Sequence, residues 1–394
     1  MKLLHVIAGM DPRTGGVGQA VRTMATGLTE IGWQNEIVCL DAPGASFLSE
    51  EKFIVYATGP GKGPWCYSKD LSIWLRNNLS KFDGVIVHGL WLYNGYATRK
   101  AIQQIKQEKK VNKFPKLFVM PHGMLDPYFQ QAKGRKLKAL RNWAFWKLTE
   151  RKLISEAHGL LFTCLTELQL AHKSFSPYHP RREFVVGLGT EKPPTYSIEM
   201  KEAFAVKCNR SGEKPYLLFL SRIHEKKGVD VLIKAYKIIL EKNPGMPELV
   251  IAGPGIETVY GKQIKKLVAD LGLQNNIHFA GMLTGDAKWG AFYGCEAFIL
   301  PSHQENFGIA VVEALACNKP VLISKQVNIW QEIKAAGGGL VGDSTEEGVV
   351  DLLSTWLQTS AHQKQSFGNG AAKAYESFFA LKPAVTTLAK ALKS

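Results

Sequence analysis

Short apolar runs alternate with amphipathic helical stretches along most of the chain, and this alternation is the feature that most constrains the fold. Buried strands separated by helices predict a parallel α/β architecture. The alternation breaks once, at residues 187–195, where the sequence GLGTEKPPT is typical of a linker. The pattern therefore predicts two doubly wound, Rossmann-like α/β domains, over residues 1–190 and 195–376. We expect them to face each other across a cleft, with residues 377–394 forming a helix that crosses back to the first domain.

The same periodicity predicts the individual strands and helices. In the first domain, strands are expected at residues 3–8, 35–40, 52–56, 84–88, 116–120, 159–163 and 183–186, and helices at residues 17–31, 71–81, 95–109, 135–154 and 166–175. In the second domain, strands are expected at residues 216–220, 249–252, 277–280, 297–300 and 320–324, with helices between them. Parallel sheets of this kind bind ligands at the carboxyl ends of their strands, so the residues just after each strand are the candidate site residues.

The composition indicates a globular protein without a membrane-spanning segment. Apolar residues make up 45% and charged residues 21% of the chain, which excludes disordered and membrane-embedded classes. The first apolar run, from Lys2 to Met10, is too short to span a bilayer and is interpreted as a strand rather than a signal peptide. The six cysteines are widely spread, without a C-x-x-C pair. We therefore expect reduced thiols, no zinc site and a cytoplasmic location.

Positive charge is concentrated in the first domain. The chain has a formal net charge of +15, and residues 98–152 contain fifteen Lys and Arg against three Asp and Glu. Such a segment suits an anionic lipid surface or a phosphate-bearing acceptor, and nucleic acid is the competing interpretation.

The stretch from Lys133 to Lys152 combines this charge with aromatic side chains. Trp143, Phe145 and Trp146 stand among its cations. A helix of this composition can lie on an anionic membrane surface, which predicts a peripheral position on the inner face of the plasma membrane. Aromatic residues at this spacing are equally compatible with a face that packs in the core while the cations face solvent.

A glycine-rich loop follows the first predicted strand. Residues 15–18 read GGVG and open a predicted helix. Glycines at this place let the backbone N–H groups of Gly16 and Val17 approach an anion at the helix N-terminus. The complete G-x-G-x-x-G fingerprint is absent, so a tight turn that packs the helix on the strand is the alternative.

The second motif is basic and follows the predicted strand YLLFL. Residues 221–228 read SRIHEKKG, with Arg222 and Lys227 on either side of a strand-to-helix turn. A guanidinium and an ammonium in such a position hold a diphosphate and stabilise its charge as it leaves. The alternative is a solvated basic loop, and Lys226 is expected to face solvent.

The third motif places two glutamates around a helix start. Residues 301–315 read PSHQENFGIAVVEAL, with Glu305 in the loop and Glu313 on the helix (E-x7-E). Both carboxylates can accept hydrogen bonds from the hydroxyl groups of one ligand, although a structural capping role is the alternative for Glu305. Glu313 stands in an apolar stretch, which favours a buried polar partner. Backbone N–H groups at the helix start suit a phosphate; they belong to Asn306, Phe307, Gly308 and Ile309.

The glycine loop, S-R-x-x-x-x-K-G and E-x7-E, in this order on two α/β halves, resemble glycosyltransferase family 4, whose members are retaining enzymes with the GT-B fold. The resemblance implies that Arg222 and Lys227 hold the donor diphosphate. It also implies that Glu305 lies at the hydroxyls of the donor sugar and Glu313 at those of the ribose. The segment FAGML at residues 279–283 resembles the stretch whose backbone reads the nucleotide base, here through Gly281, Met282 and Leu283.

Two loops of the first domain resemble those of bacterial polysaccharide transferases in this family, a cyanobacterial envelope type among them. MPHGMLDP, at residues 120–127, resembles their HG-M-x-x-P loop, and VHGLW, at residues 87–91, their H-G-x-W loop. The resemblance implies that His122 hydrogen-bonds the donor sugar or the developing charge. It implies that His88 and Trp91 lie on the acceptor side. For His122, the alternative is a neutral histidine whose hydrogen bonds are made within its own loop. For His88 and Trp91, the alternative is local packing.

The sequence departs from the family pattern in its linker, which reads Gly187-Leu188-Gly189 in place of the usual Asn-Gly turn. This affects the hinge and not the chemistry. Gly253, after the strand LVIA, matches the family's loop near the nucleotide, but a simple turn explains it equally well. No D-x-D motif occurs, so the usual carboxylate clamp for a metal–diphosphate is missing. We therefore expect catalysis without a metal or other cofactor, by cationic side chains and helix ends.

Together these motifs predict the transfer of a glucose-like hexose from a UDP-sugar to a hydroxyl of a polysaccharide or lipid-linked saccharide acceptor. The resemblance implies retention of configuration. A sugar-nucleotide epimerase of the same fold, which needs no acceptor, is one alternative, and a basic polyanion-binding protein is another. No RNA-recognition signature is visible, and no nucleic-acid partner is expected. The expected catalytic residues are His122, Arg222, Lys227 and Glu305.

Overall fold

The chain forms two compact units. The first comprises Met1–Gly189 and Leu381–Ser394, and the second comprises Thr190–Ala380. The division after Gly189 lies beside the predicted boundary, whereas the second unit extends four residues beyond the predicted residue 376. The computed structural model describes residues 1–14, 16–108, 114–131, 136–208 and 214–394.

The first unit is built on a parallel sheet with the strand order β3-β2-β1-β4-β5-β6-β7. This is a Rossmann order, and its switch point lies between β1 and β4. The strands are β1 Lys2–Val6, β2 Gln34–Cys39, β3 Ile54–Ala57, β4 Gly84–His88, β5 Lys116–Met120, β6 Gly159–Phe162 and β7 Glu183–Val185. The helices are α1 Gly16–Glu30, α2 Lys69–Asn78, α3 Tyr93–Gln107, α4 Tyr128–Gln131, α5 Lys136–Phe145, α6 Arg151–Glu156 and α7 Leu165–Ala171. A π-helical turn, Trp146–Glu150, joins α5 to α6.

The second unit repeats this architecture. Its parallel sheet has the order β10-β9-β8-β11-β12-β13, so its switch point lies between β8 and β11. The strands are β8 Tyr216–Leu220, β9 Glu248–Ala252, β10 Ile277–Gly281, β11 Ala297–Leu300, β12 Val321–Ser324 and β13 Gly339–Gly342. The helices are α8 Ile198–Cys208, α9 Val229–Lys242, α10 Val259–Asp270, α11 Gly285–Gly294, α12 Ile309–Ala316, α13 Trp330–Ala336, α14 Glu346–Gln358 and α15 Ala361–Ala374.

Local sequence explains where these elements form. The strands β4, β6, β9, β11 and β12 are buried along their whole length, as expected for parallel sheets covered on both faces. Side chains at the helix starts accept hydrogen bonds from backbone N–H groups that lack a partner within the helix. Ser68 caps α2 in this way and Thr345 caps α14, while Ser360 and Gln363 form a capping box before α15.

The final helix, α16 Leu381–Lys393, belongs to the first unit and packs against α1. A Cβ atom at Gly27 would lie 2.2 Å from Cγ2 of Val385, so the glycine is what lets these two helices approach so closely. The sequence pattern predicts that this helix begins at residue 377. In the structure, Tyr375–Phe379 form a π-helical turn of the second unit, and the helix begins after it.

One strand was not predicted. β13, Gly339–Gly342, lies at the edge of the second sheet, is only half-buried and has the glycine-rich sequence GLVG. A Cβ at Gly339 would lie 1.9 Å from the carbonyl oxygen of Val321, so only glycine fits at this position. Because glycine has no apolar side chain, the pattern that predicts a buried strand is missing here. The other strands lie within a few residues of their predicted positions.

Two observations bear on the composition of the chain. All six cysteines are free thiols, and five of them are buried. In the described part of the chain, no helix has both the length and the apolar character needed to cross a bilayer.

The substitution Gly290→Ala on α11 is expected to destabilise the second unit. α11 approaches α8 so closely that a Cβ at Gly290 would lie 1.9 Å from the carbonyl oxygen of Met200. Because the helices must separate to admit a methyl group, the free energy of unfolding should fall by about 2–4 kcal/mol. Urea denaturation followed by circular dichroism measures this change.

Gly245→Ala is the matched control, because nothing lies within 4 Å of the added Cβ. It should change the free energy of unfolding by no more than about 1 kcal/mol. Equal stabilities of the two variants would contradict the close packing of α8 on α11.

Candidate active site

Backbone hydrogen bonds join the loops that follow the first three strands of the second unit. Ile223 N donates to Pro254 O at 2.8 Å, and Gly253 N donates to Gly281 O at 2.7 Å. Gly253 has a φ of +134°, and a Cβ there would lie 1.9 Å from Ser221 O, so only glycine fits. The loops after β8, β9 and β10 are therefore held together at the carboxyl edge of the sheet.

Lys227 and Glu305 form an ion pair, although 78 residues separate them in the sequence. Lys227 ends a short 3₁₀ turn after β8, and Glu305 lies in the loop after β11. The two strands are neighbours at the switch point of the sheet. The side chains are only 11% and 22% exposed. The structure thus brings two predicted site residues together at the place where doubly wound sheets bind ligands.

The backbone around Glu305 is fixed by the following loop. Glu305 N donates to Gln326 O at 2.9 Å, and Glu305 O accepts from Asn328 N at 3.0 Å. The Asn328 amide also reaches Oδ1 of Asn306 at 3.4 Å. The Glu305 carboxylate therefore extends from a supported segment of backbone.

Arg222 is exposed in the loop after β8. Among the described residues, no carboxylate lies within ion-pair distance of its guanidinium. The later part of this loop is held against the loop after β11. His303 N donates to Lys226 O at 2.8 Å, and a Cβ at Gly228 would lie 2.4 Å from Pro301 O. Lys226 is half-buried rather than directed fully into solvent as predicted. Arg222 is thus the cation of this loop that is available to an external anion.

Glu313, on α12, forms a second ion pair. Nζ of Lys288, on α11, lies 2.6 Å from Oε1 of Glu313. Burial raises the pKa of the Glu313 carboxyl, and the neighbouring Lys288 ammonium opposes that rise. Glu313 thus has the polar partner that its apolar surroundings require, and the sequence had not indicated Lys288 as that partner.

The start of α12 follows the Glu305 loop directly. Gly308 precedes the helix in the left-handed conformation, with a φ of +77°. Phe307 is buried and packs edge-on against Phe379, with ring centroids 5.8 Å apart. The first N–H groups of a helix have no partner within it, so those near Ile309 suit a phosphate oxygen.

The predicted base-reading segment follows β10. Gly281 ends the strand with a φ of +65°, Met282 is 58% exposed, and Leu283 is buried. The base-reading role of these residues stays a prediction.

In the first unit, two predicted histidines meet a third. His88, the last residue of β4, is only 2% exposed; its Nδ1 lies 3.0 Å from His122 Nε2, and its Nε2 lies 3.0 Å from His5 Nδ1. Burial lowers the pKa of His5 and of His122 to about 4, and lowers that of His88 well below its usual value. The three rings are therefore neutral at pH 7. His88 is enclosed between the other two rings, and its acceptor-side role stays a prediction.

The glycine loop precedes α1 as the motif predicts. α1 begins at Gly16, which is exposed, and Val17 is half-buried in its first turn. Gly15 lies outside the described residues. The preceding backbone is fixed, because Met10 N donates to Oδ2 of Asp41 at 2.7 Å.

Trp91 is held by a buried carboxyl. It has a φ of +70°, unusual for a bulky residue, and its backbone N donates to Oε1 of Glu150 at 3.1 Å. Its ring packs against Phe175 at a centroid distance of 5.3 Å. Burial raises the pKa of Glu150 to about 8, and Oε2 of Glu150 has no hydrogen-bond partner. Glu150 is therefore a neutral support of the H-G-x-W loop at pH 7, and Trp91 is packed locally.

The basic stretch has two faces in the structure. Trp146 is buried and stacks on Phe175 at a centroid distance of 4.8 Å, as a core aromatic does. Lys147 lies over the ring of the exposed Trp143, 4.2 Å from its centroid. Trp146 thus packs as the core alternative expects, whereas contact of this stretch with a membrane stays a prediction. Lys133 and Arg135 lie outside the described residues. The exposed apolar side chains are Leu137, Leu140, Trp143 and Leu148.

Some residues of these sites were missed by sequence reasoning. His5 is the one polar residue within the apolar run LLHVI, and this was a signal that it needs a buried partner. Lys288 and Glu150 gave no comparable signal, because their partners are distant in the sequence. Within the described residues, no group of three His, Cys, Asp or Glu is arranged to hold a metal ion. Metal-independent catalysis stays a prediction.

Comparison with known proteins links the second unit to glycosyl transfer. The family model described as "Glycosyl transferases group 1" matches residues 200–374. An uncharacterized glycosyltransferase of Methanocaldococcus jannaschii is 27% identical over 211 residues, which cover 52% of this chain and 50% of that protein. A D-inositol 3-phosphate glycosyltransferase of Actinosynnema mirum is 32% identical over 151 residues, which cover 36% of this chain and 33% of that protein. The chain thus spans half or less of the length of these relatives.

Solved structures match the chain over its whole length. HepE of Anabaena, crystallised with UDP and glucose, is 16% identical with a TM-score of 0.75, and the match covers 100% of both chains. A glycosyltransferase from Rickettsia africae is 17% identical with a TM-score of 0.76, covering 100% of this chain and 97% of that one. At such identities the likeness establishes the fold alone. The predicted fold class, α/β with two Rossmann-like domains of the GT-B type, is confirmed.

Glu150→Gln is expected to remove a pH dependence of stability. The folded state keeps the Glu150 proton up to about pH 8, whereas the unfolded state releases it near the ordinary pKa of 4.5. The unfolded state therefore binds fewer protons between these values, and this group lowers the free energy of unfolding by up to about 1.4 kcal/mol per pH unit as the pH rises. Urea denaturation at several pH values, compared with the unsubstituted protein, measures the difference.

Glu50→Gln is the control, because Glu50 is an exposed carboxylate of the same unit. Its stability difference from the unsubstituted protein should be independent of pH. A flat difference for Glu150→Gln as well would show that Glu150 is ionised in the folded state.

Proposed function

We propose that this chain is a glycosyltransferase that moves a hexose from a UDP-sugar to a hydroxyl group of a saccharide acceptor. The observation that carries the proposal is the pair of ion pairs in the second unit, Lys227–Glu305 and Lys288–Glu313, together with the exposed Arg222. The family match over residues 200–374 supports the reaction class. The UDP complexes of the structurally similar HepE support UDP as the nucleotide.

Lys227 and Arg222 hold the donor diphosphate in this proposal. A diphosphate carries more negative charge than a single carboxylate, and it competes with Glu305 for the Lys227 ammonium. Arg222 adds a two-pronged donor from the same loop. The N-terminus of α12 adds backbone N–H groups, through the segment that contains Gly308 and Ile309.

The two glutamates bind hydroxyl groups. When the diphosphate binds the Lys227 ammonium, the ion pair with Glu305 breaks. The Glu305 carboxylate can then accept hydrogen bonds from the donor sugar. Glu313 plays the corresponding role at the ribose, where the Lys288 ammonium opposes the rise in the pKa of Glu313 that burial causes. An ionised carboxylate only accepts hydrogen bonds, which suits vicinal hydroxyls.

The reaction proceeds with retention in this proposal. The acceptor oxygen attacks the anomeric carbon on the face from which the diphosphate departs, and the bond between that carbon and the diphosphate oxygen breaks. The leaving phosphate takes the proton of the acceptor hydroxyl. Arg222 and Lys227 stabilise the charge that the diphosphate gains, so catalysis proceeds without a metal ion.

The donor sugar is proposed to be glucose-like, and the acceptor a polysaccharide or lipid-linked saccharide. The match to HepE, crystallised with UDP-glucose, supports the donor. The loops VHGLW and MPHGMLDP, which resemble those of bacterial envelope polysaccharide transferases, support the acceptor class.

UDP and UDP-glucose are expected to raise the melting temperature of the protein, because they bind the folded state alone. Arg222→Ala and Glu313→Ala should each weaken UDP binding about 10–100-fold, the range expected for loss of a hydrogen bond to a charged group. Thermal shift titration measures both effects, with GDP-mannose and ADP-glucose as competing donors.

Lys242→Ala is the matched control, since Lys242 is an exposed cation of the same unit outside the proposed site. It should keep the shift of the unsubstituted protein, and EDTA should leave that shift unchanged. Unaltered UDP affinity in Arg222→Ala and Glu313→Ala, or a strict requirement for manganese, contradicts the proposal. Conversion of UDP-glucose to an epimer without acceptor would instead identify an epimerase.

We further propose that the first unit rests on an anionic membrane surface through α5 and the turn after it. Four large apolar side chains are exposed there, led by Leu137 at 84% and Leu148 at 71%. Lys136, Lys138, Arg141 and Lys147 accompany them in sequence. Apolar insertion combined with attraction to anionic headgroups is how interfacial helices bind. Such a position would place the enzyme beside lipid-linked acceptors.

The double substitution Leu137→Ser with Trp143→Ser is expected to weaken binding to phosphatidylglycerol vesicles about tenfold, because it removes apolar area that is otherwise inserted. Co-sedimentation measures the binding, which should fall with added salt and be absent with phosphatidylcholine alone. Ile198→Ser with Val206→Ser, exposed apolar positions on α8, is the control. Equal vesicle affinities of the two double variants would contradict this surface assignment.

A further inference from the structure

A line of four hydrogen-bonded side chains crosses the sheet of the first unit at its switch point. His5 Nε2 lies 3.2 Å from Oδ1 of Asn35, and the contacts from His5 to His88 and from His88 to His122 are both 3.0 Å. Neighbouring rings stack with their centroids 5.3 Å apart. The residues come from β2, β1, β4 and the loop after β5, which are consecutive in the order of the sheet. We call this line the histidine relay.

Asn35 determines which atom donates and which accepts in each hydrogen bond of the histidine relay. Its Nδ2 lies 3.3 Å from the carbonyl oxygens of Ala25 and Trp33, and 3.0 Å from Oγ1 of Thr29. Carbonyl oxygens only accept hydrogen bonds, so the amide nitrogen must face them. The amide oxygen therefore faces His5, and Nε2 of His5 must carry the proton that it accepts.

The tautomer of each ring then determines the tautomer of the next ring. A neutral imidazole has one donor and one acceptor nitrogen, so His5 with a protonated Nε2 accepts at Nδ1. That hydrogen bond must come from Nε2 of His88, whose Nδ1 then accepts from Nε2 of His122. The remaining nitrogen, Nδ1 of His122, carries a lone pair. Burial keeps all three rings neutral, because it lowers the pKa of His5 and His122 to about 4 and that of His88 further.

The backbone of His122 is fixed as well. His122 has a φ of +52°, in the left-handed region that non-glycine residues rarely adopt. The next residue, Gly123, donates its N–H to the buried carboxylate of Glu167, which also accepts from N and Oγ1 of Thr163 at 2.7 and 2.6 Å. Among the hydrogen bonds of the described residues, none reaches Nδ1 of His122. This nitrogen is held in place, on a residue that is only partly buried.

We infer that Asn35, His5 and His88 are positioning residues that keep His122 in the Nε2–H tautomer, so that its Nδ1 lone pair accepts a hydrogen bond from a substrate hydroxyl. The inference rests on the proposed function and deepens it. It decides between the two roles expected for His122, because a neutral acceptor binds a hydroxyl but does not stabilise developing negative charge.

Nitrogen-15 spectra of the full chain with labelled histidine test the tautomers directly, without any substrate. His5→Asn, His88→Asn and His122→Asn assign the three rings by loss of their signals. At neutral pH the expected pattern is a protonated Nε2 and a bare Nδ1 in each ring. A protonated Nδ1 on His122, or an imidazolium at any relay position, overturns the inference.

His5→Leu breaks the relay, and His5→Asn preserves it. With leucine, Nε2–H of His88 loses its acceptor, and His88 is free to take the other tautomer and donate to Nε2 of His122. The proton of His122 then moves to Nδ1. An asparagine at position 5 still offers an oxygen towards His88 and an N–H towards Asn35, so it should rescue the tautomer of His122.

The binding readout separates this role from a structural one. In His5→Leu, Nδ1 of His122 carries a proton, so the substrate hydroxyl can no longer donate to it and must reverse its own hydrogen bonds to accept instead. The affinity for UDP-glucose should therefore fall up to about tenfold, while the affinity for UDP stays unchanged. His5→Asn should restore the UDP-glucose affinity. His158→Leu is the control, because it removes a histidine outside the relay whose Nδ1 accepts from Leu117 N at 3.0 Å. It should change neither affinity.

Parallel losses of UDP and UDP-glucose affinity in His5→Leu, or no loss of either, overturn the inference. Failure of the unsubstituted protein to bind UDP at all would count against the proposed function instead. The nitrogen spectra decide the tautomer of His122 in either case.

Discussion

The ion pair between Lys227 and Glu305 is the interaction on which the proposed site of the second unit depends. It forms because the Rossmann order puts β8 beside β11, so the loops after these strands meet. Two charges that are largely shielded from solvent are stable only while each has a partner. In the proposed function, a diphosphate and a sugar hydroxyl replace the two partners together, and the exposed Arg222 adds the charge that favours this exchange.

The first unit has the same topology at its switch point but a different chemistry. Its central strands bring together uncharged rings, which are ordered by hydrogen bonds from Asn35 to His122. In the second unit, buried polar side chains are stabilised because they form ion pairs. In the first unit, the buried histidine rings are stabilised because they are uncharged and hydrogen-bonded to one another. One fold thus holds charged side chains as ion pairs in one unit and a line of oriented, neutral rings in the other.

The sequence predicted most strands, because buried strands leave apolar runs. Its motifs also singled out Lys227, Glu305 and Glu313, which the structure shows in ion pairs. It missed β13, whose glycines remove the apolar pattern, and it missed Lys288 and Glu150, whose roles depend on tertiary partners. The π-helical turn at Trp146–Glu150 adds a residue to one helical turn, so helical periodicity alone could not assign Trp143 and Trp146 to different faces. The motifs located Glu305 and Lys227, but only the structure shows that they form an ion pair.

A crystal structure with bound UDP would show whether the ion pair opens for the nucleotide. Diphosphate oxygens are expected within about 3 Å of the Arg222 guanidinium and of Lys227 Nζ, with the ribose hydroxyls on the Glu313 carboxylate. The contact between Lys227 and Glu305 is expected to be broken or lengthened. UDP bound elsewhere, with that ion pair intact and Arg222 in solvent, would contradict the proposed site.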